Sequence, residues 1–313
     1  MLYEEIIKIA PMLPILHNEP FDDKNYVYQV KWDGVRIIAN INSNKVELIN
    51  RNYKYKTLQY PELLTLSNQV NAKNTVLDGE VVVLKAGKPS FESVIRRDKA
   101  KSKEKINHLK SLFPITYLVF DILAKDNKPL HKTPLIDRKK ILTDTLIENQ
   151  FVQLVEDFNS GIKLFEAIKG QELEGIVAKK KTSLYIPGKK HKDWFKIKYR
   201  RNQLCVVAGY TCRSNIVNSL LLGAYRDNEL YYIGRVGSGL TVNEWNSLTN
   251  ELPKLVITNS PFVNYQAKPN KTFSFVKPVL VVNVSYVEWT ESMHLRSPVI
   301  VNFTNNNPSE CLL

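Results

Sequence analysis

The chain has 313 residues, more than one hydrophobic core usually organises, so two domains are expected. Apolar residues make up 43% and charged residues 24%, a composition that is typical of globular proteins and excludes a disordered or fibrous chain. With 44 Lys and Arg against 31 Asp and Glu, the net charge of +13 favours a polyanionic partner, although basicity alone does not identify one.

The first 200 residues are predicted to form short strands interspersed with helices. β-Branched and aromatic runs broken by turn residues predict strands at residues 26–31, 36–41, 45–49, 75–84 and 115–123. We interpret the first three as an antiparallel meander. Apolar residues at helical spacing predict helices at residues 135–148 and 161–170, each with one face packed on a sheet.

A dense run of charge lies between two of these strands, from Arg96 and Arg97 through Lys99 to Lys110. Two interpretations stay open for it. Its cations contact the phosphates of a nucleic acid, or the run is a solvated surface segment.

The pattern changes to strands after the basic segment at residues 196–201. Strands are predicted at residues 204–210, 220–225, 230–236 and 279–289, with a helix at residues 242–252. About five strands with one helix suit a small β-barrel of the oligonucleotide-binding (OB) type. The predicted fold class is therefore α+β, with one domain at residues 1–200 and an OB-fold domain at residues 201–313.

The number and spacing of cysteines and the length of apolar runs indicate in which cellular compartment the protein is expected. Cys205, Cys212 and Cys311 are far apart and form no Cys-x-x-Cys pair, so a zinc site of that kind is not expected. The N-terminus lacks the basic start of a signal peptide, and no apolar run approaches the roughly 20 residues of a spanning helix. We expect a cytoplasmic protein outside the membrane, associated with the nucleoid if the source is bacterial.

The sharpest motif is Lys31-Trp32-Asp33-Gly34-Val35-Arg36, at the end of a predicted strand. Lys-x-Asp-Gly-x-Arg is the signature of covalent nucleotidyltransferases, and chance produces it in roughly one chain of this length in several hundred. A structural interpretation also exists, in which Asp and Gly bend a strand-end turn while Lys and Arg reach solvent.

Further segments follow the lysine motif in a fixed order. They are Asn50-Arg51-Asn52, Leu77-Asp78-Gly79-Glu80, Tyr117-Leu118-Val119-Phe120-Asp121, Leu173-Glu174-Gly175, Trp194-Phe195-Lys196-Ile197-Lys198, Tyr232-Ile233-Gly234-Arg235 and Glu288-Trp289-Thr290. Together these segments resemble ATP-dependent DNA ligases, especially the bacterial class associated with end joining, over nearly the whole chain. The resemblance implies an antiparallel-sheet nucleotidyltransferase domain that carries out adenylylation, followed by an OB-fold domain.

The resemblance also implies the reaction, which is the sealing of 5′-phosphate/3′-hydroxyl nicks through a lysyl-AMP intermediate and a DNA-adenylate. An amine that attacks the α-phosphorus of ATP must be neutral, and nearby cations lower the pKa of a lysine. We therefore predict Lys31 as the nucleophile. Lys196 and Lys198, together with Arg36, are expected to supply positive charge and to neutralise phosphate oxygens.

Phosphoryl transfer also uses a divalent metal held by carboxylates. The resemblance gives Glu174, Glu80 and Asp33 as candidate ligands, with Mg²⁺ as the expected metal and Mn²⁺ compatible with the same ligands. By resemblance, Arg51 and Glu80 meet the ribose or the nick phosphate, and Phe120 stacks on adenine.

Two positions depart from the family. Gln29 stands where this class often has a Glu that contacts adenine, and its amide oxygen can still accept from the adenine amino group. Relatives end in an Arg-x-Asp-Lys motif that orients pyrophosphate, whereas this chain has Thr304-Asn305-Asn306-Asn307. We expect slow self-adenylylation with the later steps intact.

The expected partner is nicked double-stranded DNA, bound by a monomer through phosphates with little reading of base sequence. A Ku-like end-binding protein is a second expected partner, from the resemblance alone. The alternatives are an RNA ligase, another covalent nucleotidyltransferase such as a guanylyltransferase, and a non-catalytic DNA end-binding module.

Overall fold

The computed structural model describes residues 10–42, 45–171, 173–267 and 272–313. The chain divides into two compact units, Met1–Tyr199 and Arg200–Leu313. Each unit has apolar cores of its own. Within the described ranges, no helix has the length and apolarity needed to cross a membrane.

Among its described residues, the first unit contains two sheets and four α-helices. Its strands are β1 (Leu13–Leu16), β2 (Tyr26–Val30), β3 (Val35–Asn42), β4 (Lys45–Asn50), β5 (Asn74–Lys85), β6 (Lys88–Pro89), β7 (Ile115–Lys125), β8 (Lys128–Pro129), β9 (Val152–Leu154), β10 (Gly175–Lys180) and β11 (Lys190–Lys198). Its helices are α1 (Phe91–Asp98), α2 (Lys103–Leu112), α3 (Leu135–Thr145) and α4 (Gly161–Gly170), with a 3-10 helix at Pro61–Asn68.

Four strands form the sheet that we call sheet A, in the order β1-β11-β10-β2. The other seven form sheet B, in the order β4-β3-β5-β7-β8, with β6 paired to β5 and β9 paired to β7. In sheet A, β10 pairs antiparallel with both β11 and β2, while β1 runs parallel to β11. Strands that lie close to either end of the first unit therefore meet in one sheet.

The predicted meander of three strands is wrong in its first member. β3 and β4 do form an antiparallel hairpin, but β2 pairs with β10 in sheet A. The connection between β2 and β3 passes from one sheet to the other, and at Gly34 it runs against β5. A Cβ atom at this position would overlap the carbonyl oxygen of Val81, so the close approach requires glycine.

The charged run after residue 95 forms two helices that the sequence analysis did not predict. The side chains of Ser90 and Ser102 accept hydrogen bonds from backbone N–H groups of the first turns of α1 and α2, as N-caps do. Arg97 is fully buried and pairs with Glu62 at 2.8 Å. Arg97 therefore cannot contact DNA, and that interpretation is wrong for this residue.

The two helices predicted in the first unit are present. α4 has the predicted bounds. α3 ends at Thr145, three residues before the predicted end, because Leu146 is extended and forms a bridge with Val70.

The second unit is a curled antiparallel sheet, a half-barrel that is consistent with the predicted OB-fold. Its strand order is β14-β13-β12-β16-β15, with β17 paired to β16. These strands are β12 (Arg201–Arg213), β13 (Ile216–Arg226), β14 (Glu229–Val236), β15 (Val256–Ile257), β16 (Phe273–Tyr286) and β17 (Val299–Thr304). The helix α5 (Val242–Glu251) follows β14 and ends one residue before its predicted end. The predicted α+β class is confirmed.

The strand predicted at residues 279–289 differs at both ends. β16 begins earlier and stops at Tyr286. Beyond it, Trp289 bridges to Leu295 around a turn in which Met293 has a φ of 58°. The sequence analysis missed β17, whose outward residues Val301 and Phe303 are exposed.

Candidate active site

One face of sheet A carries the predicted nucleophile and both predicted phosphate-binding lysines. On β10, Val177 lies opposite Gln29 of β2 on one side and opposite Lys196 of β11 on the other. Gly175 of β10 lies opposite Lys198 of β11. The N–H group of Lys31 donates to the carbonyl oxygen of Gly175 at 2.9 Å, which continues the pairing of β2 beyond its last residue. Paired residues share a face of a sheet, as do alternate residues of a strand. We call this surface the lysine face, and its members are Lys31, Lys198, Gln29, Val177, Lys196, Lys179 and Trp194.

Glu174 joins two of these lysines at one end of the lysine face. Its Oε2 lies 2.5 Å from Lys31 Nζ, and its Oε1 lies 2.8 Å from Lys198 Nζ. Burial raises the pKa of Glu174, but the combined effect of Lys31 and Lys198 is larger and opposite, so the net shift is downward. The sequence analysis expected cations to lower the pKa of Lys31 and gave Glu174 a role in metal binding, whereas in the structure Glu174 forms a salt bridge with Lys31 itself.

Lys196 adds a third cation to this group. Burial lowers the pKa of Lys196, and the charges of Lys198 and Lys31 lower it further. Three lysines around one acid leave an excess of positive charge beside Lys31. Such an excess suits the polyphosphate of a nucleotide.

Glu80, a predicted carboxylate on sheet B, lies within electrostatic range of Lys31 and Glu174. Glu80 on β5 pairs in register with Arg36 on β3. Protein surrounds Glu80 closely, and this burial raises its pKa to about 8, against the opposing effect of Lys31 and Arg36. The charges of Asp33 and Glu174 raise the pKa of Glu80 as well. The charges of the other two predicted metal ligands therefore act on the pKa of Glu80.

Arg36 is engaged by protein acceptors. Its Nε donates to Asp78 Oδ1 at 2.9 Å, its Nη2 to Asp78 Oδ2 at 2.5 Å and its Nη1 to the carbonyl oxygen of Met12 at 2.7 Å. Burial lowers the pKa of Arg36, but Asp78 outweighs this effect and the net shift is upward. Arg36 therefore anchors β3, and contact with a nucleotide remains a prediction for it.

Phe120 on β7 faces the far end of the lysine face. Lys179 Nζ lies 4.1 Å from the centre of the Phe120 ring and 4.4 Å from the Trp194 ring. Burial lowers the pKa of Lys179 to about 7, and no described residue accepts a hydrogen bond from its Nζ. The sequence analysis gave Lys179 no role, although its even spacing from Gly175 and Val177 already indicated a shared face.

Gln29 and Arg51 have different surroundings. Gln29 is buried, and its Nε2 donates to Asp157 Oδ1 at 2.7 Å. Asp157 in turn pairs with Lys139 on α3 at 2.9 Å. Arg51 lies in an exposed turn after β4, and in the described part of the chain no polar contact joins it to the lysine face. Sequence analysis did not find Asp157, because residues 155–160 carry no regular pattern, and it placed Lys139 on a predicted helix without a partner.

Two family models match consecutive parts of the chain. The ATP dependent DNA ligase domain matches residues 11–198, and the ATP dependent DNA ligase C terminal region matches residues 213–306. The chain belongs to the ATP-dependent DNA ligase family. The resemblance inferred from the motifs is thereby confirmed.

Curated relatives and a solved structure agree with this assignment. The multifunctional non-homologous end joining DNA repair protein LigD of Mycobacterium tuberculosis is 33% identical over 93% of this chain, and the match covers 38% of that relative. The SPbeta prophage-derived DNA ligase-like protein LigB of Bacillus subtilis is 35% identical over 65% of this chain and 72% of its own length. The mycobacterial DNA ligase D complexed with ATP and MES has a TM-score of 0.55 at 30% identity, and the match covers 97% of this chain and 98% of that one. The chain thus spans well under half of LigD.

The metal ligands of this ligase-family chain stay a prediction. In the described ranges, no group of three or more His, Cys, Asp or Glu side chains has the arrangement of a metal site. Burial is the main cause of the raised pKa of Glu80, and a divalent cation beside this side chain would favour its ionised form. These residues fit a metal held by one or two carboxylates.

Proposed function

We propose that the chain is an ATP-dependent DNA ligase that seals 5′-phosphate/3′-hydroxyl nicks in duplex DNA. One observation carries the proposal. In a member of this family, Lys31 Nζ lies 2.5 Å from Glu174, whose second oxygen pairs with Lys198. A reactive lysine, an acid and a phosphate-binding lysine are the groups that adenylylation uses.

The first step forms a bond between Lys31 Nζ and the α-phosphorus of ATP and breaks the bond from that phosphorus to pyrophosphate. The amine gives up its proton, and AMP remains on the lysine. Lys196 and Lys198 neutralise charge that develops on the phosphate oxygens. In the following steps AMP passes to a DNA 5′-phosphate, and the 3′-hydroxyl displaces AMP to close the strand.

The remaining predicted residues have roles around this bond. Phe120 and Val177 face the nucleotide base from sheets B and A, and Gln29 borders it. Glu80 and Arg51 are proposed for the ribose or the nick phosphate. Asp33 is proposed to act with Glu80 near the reacting phosphate.

A divalent metal, Mg²⁺ with Mn²⁺ as a substitute, would be held by Glu174, Glu80 and Asp33. When bound, it supplies positive charge to the phosphate oxygens.

The partners follow from charge and family. The net charge of +13 supports binding to nicked duplex DNA through its phosphates. The affinity for DNA is therefore expected to fall as the salt concentration rises. The name of LigD refers to end joining. A Ku-like end-binding partner and action as a monomer are therefore proposals for this chain.

The test incubates the protein with α-labelled ATP or GTP and magnesium, and then adds nicked DNA or nicked RNA. Wild-type protein is expected to take label from ATP and to seal DNA, whereas Lys31→Ala takes up no label. Lys192→Ala is the matched control, because Lys192 is an exposed lysine of β11. Label on Lys31→Ala would overturn the assignment of the nucleophile.

The same assay separates the alternatives. Label only from GTP indicates a guanylyltransferase, and sealing only of RNA indicates an RNA ligase. DNA binding without label from any nucleotide indicates a non-catalytic end-binding module.

A further inference from the structure

The side-chain amide of Gln29 lies on the lysine face, close to the predicted nucleophile. Gln29 is two residues before Lys31 on the lysine face, a separation of roughly 6.6 Å along a strand. It forms a row across sheet A with Val177 and Lys196. Its exposed fraction is 2%. A nucleotide that presents its α-phosphorus to Lys31 and its base to Phe120, which lies beside Lys179, would cross this row at Gln29 and Val177.

The nitrogen end of this amide has a fixed direction. Gln29 Nε2 donates to Asp157 Oδ1 at 2.7 Å, and Lys139 Nζ lies 2.9 Å from the same oxygen. A carboxylate only accepts hydrogen bonds, so the –NH₂ end of the amide must face Asp157. A reversed amide would set two oxygens against each other.

Backbone pairing explains why Asp157 lies beside Gln29. Tyr28 and Phe158 exchange hydrogen bonds, with N–H to oxygen distances of 3.0 and 2.8 Å. This bridge holds the residue before Phe158 against the residue after Tyr28. The position of Asp157 is therefore set by the main chain and does not depend on a ligand.

The oxygen end of the Gln29 amide is left for a ligand. In the described part of the chain no group donates a hydrogen bond to Gln29 Oε1. This oxygen is not among the enclosed polar atoms of the described residues, so a donor from a ligand can reach it. A 6-aminopurine offers such a donor, whereas a 6-oxopurine offers an acceptor at the same place.

We infer that Asp157, held by Lys139, is a positioning residue that fixes the polarity of the Gln29 amide and thereby selects 6-aminopurine over 6-oxopurine nucleotides. The inference rests on the proposed function, because it concerns the nucleotide that Lys31 attacks. It assigns selectivity to a residue that acts only through Gln29.

The test compares ATP with inosine triphosphate, which differs from ATP only in the 6-position and the N1 proton. In Asp157→Ala the amide of Gln29 is free to turn, and Lys139 can then attract its oxygen. The ratio of kcat/KM for ATP to that for inosine triphosphate, measured as labelling of Lys31, is expected to fall roughly tenfold or more. Glu156→Ala is the matched control, because Glu156 is the exposed neighbour of Asp157, and its ratio should not change.

A second substitution distinguishes selectivity from general damage. In Asp157→Ala with Gln29→Glu, residue 29 can only accept and Lys139 regains a carboxylate partner. The preference for ATP is expected to return. If Asp157→Ala fails to fold by circular dichroism, Asp157→Asn replaces it, because its amide can meet either end of Gln29.

The results separate this inference from the proposed function. If wild-type protein takes no label from either nucleotide, the proposed function and this inference both fail. If wild-type protein is labelled from ATP but the Asp157 variant loses activity equally with both nucleotides, or the double variant does not recover its preference, only this inference is overturned.

Discussion

At the scale of single residues, Lys179 is a buried amine with aromatic rings close to its nitrogen. Its Nζ lies within 4.4 Å of the centres of the Phe120 and Trp194 rings. Cation–π attraction stabilises its charged form, but burial has the larger effect on its pKa. The lysine therefore holds its proton less firmly in the folded chain than in the unfolded one.

This difference predicts how stability varies with pH. The pKa of Lys179 is about 7 in the folded protein and has a reference value of 10.5. Between these values the unfolded chain binds more protons, so this residue makes the free energy of unfolding rise with pH through that window. Lys179→Met, which keeps an unbranched side chain between the rings, removes the contribution.

Urea denaturation at pH 7 and pH 9 measures the effect. We expect the variant to be more stable than wild type at pH 7, with a smaller difference at pH 9. Lys181→Met, at a lysine of the turn after β10, serves as the control for removal of a charge. An equal difference between Lys179→Met and wild type at both pH values would contradict the lowered pKa.

At the scale of secondary-structure elements, α1 is attached to the core of the first unit through Arg97. The side chains of Arg97 and Glu62 are 0% and 2% exposed, and the guanidinium also donates to the carbonyl oxygens of Phe113 and Gln59 at 2.8 and 3.0 Å. One arginine thus joins α1 to the end of α2 and to the 3-10 helix. A buried charge that loses its partner is strongly unfavourable.

Arg97→Ala leaves Glu62 buried without its cation. We expect the free energy of unfolding to fall by about 3–5 kcal/mol in urea denaturation. Arg96→Ala is the control, because Arg96 is an exposed neighbour that stacks on the Phe113 ring, and its loss should cost less than about 1 kcal/mol. If the free energy of unfolding falls by similar amounts in the two variants, the buried pair of Arg97 and Glu62 adds no stability beyond that of an exposed arginine.

The elements also show what could be read from the sequence. The spacing of apolar and β-branched residues correctly predicted the bounds of α4 and the presence of β2. Such patterns involve only residues that are close in the sequence. The partner of β2 could not be read in this way, since β10 lies far along the sequence. The motif segments predicted Lys31 and Glu174 but not Asp157, whose position depends on pairing between distant backbones.

At the scale of the whole molecule, the C-terminus bears on the first step of the reaction. Thr304 ends β17, and Asn307 caps the short 3-10 helix Pro308–Glu310. Asn306 Nδ2 donates to Glu310 Oε2 at 2.8 Å. The residues that are predicted to stand in place of the family's Arg-x-Asp-Lys motif thus stabilise a local turn, and residues 304–307 carry no positive charge.

We predict that labelling of wild-type Lys31 from ATP is slower than nick closure by preformed adenylate. The combined change Thr304→Arg, Asn306→Asp and Asn307→Lys, which restores the motif, is expected to speed labelling roughly tenfold or more and to leave closure unchanged. Rapid-quench measurement of both steps checks this. Wild-type labelling as fast as closure would contradict the prediction.

The passage of the chain from β2 to β3 has one more consequence. Lys31 directly follows β2 of sheet A, and Arg36 is the second residue of β3 in sheet B. Four residues of chain therefore limit the distance between Lys31 and Arg36. Covalent geometry limits that span to roughly 3.3–3.6 Å for each residue. The lysine motif therefore fixes how far Lys31 can lie from sheet B. An insertion of one residue between Lys31 and Arg36 is expected to leave the strands intact and to move the Lys31 amine away from its position relative to Glu80.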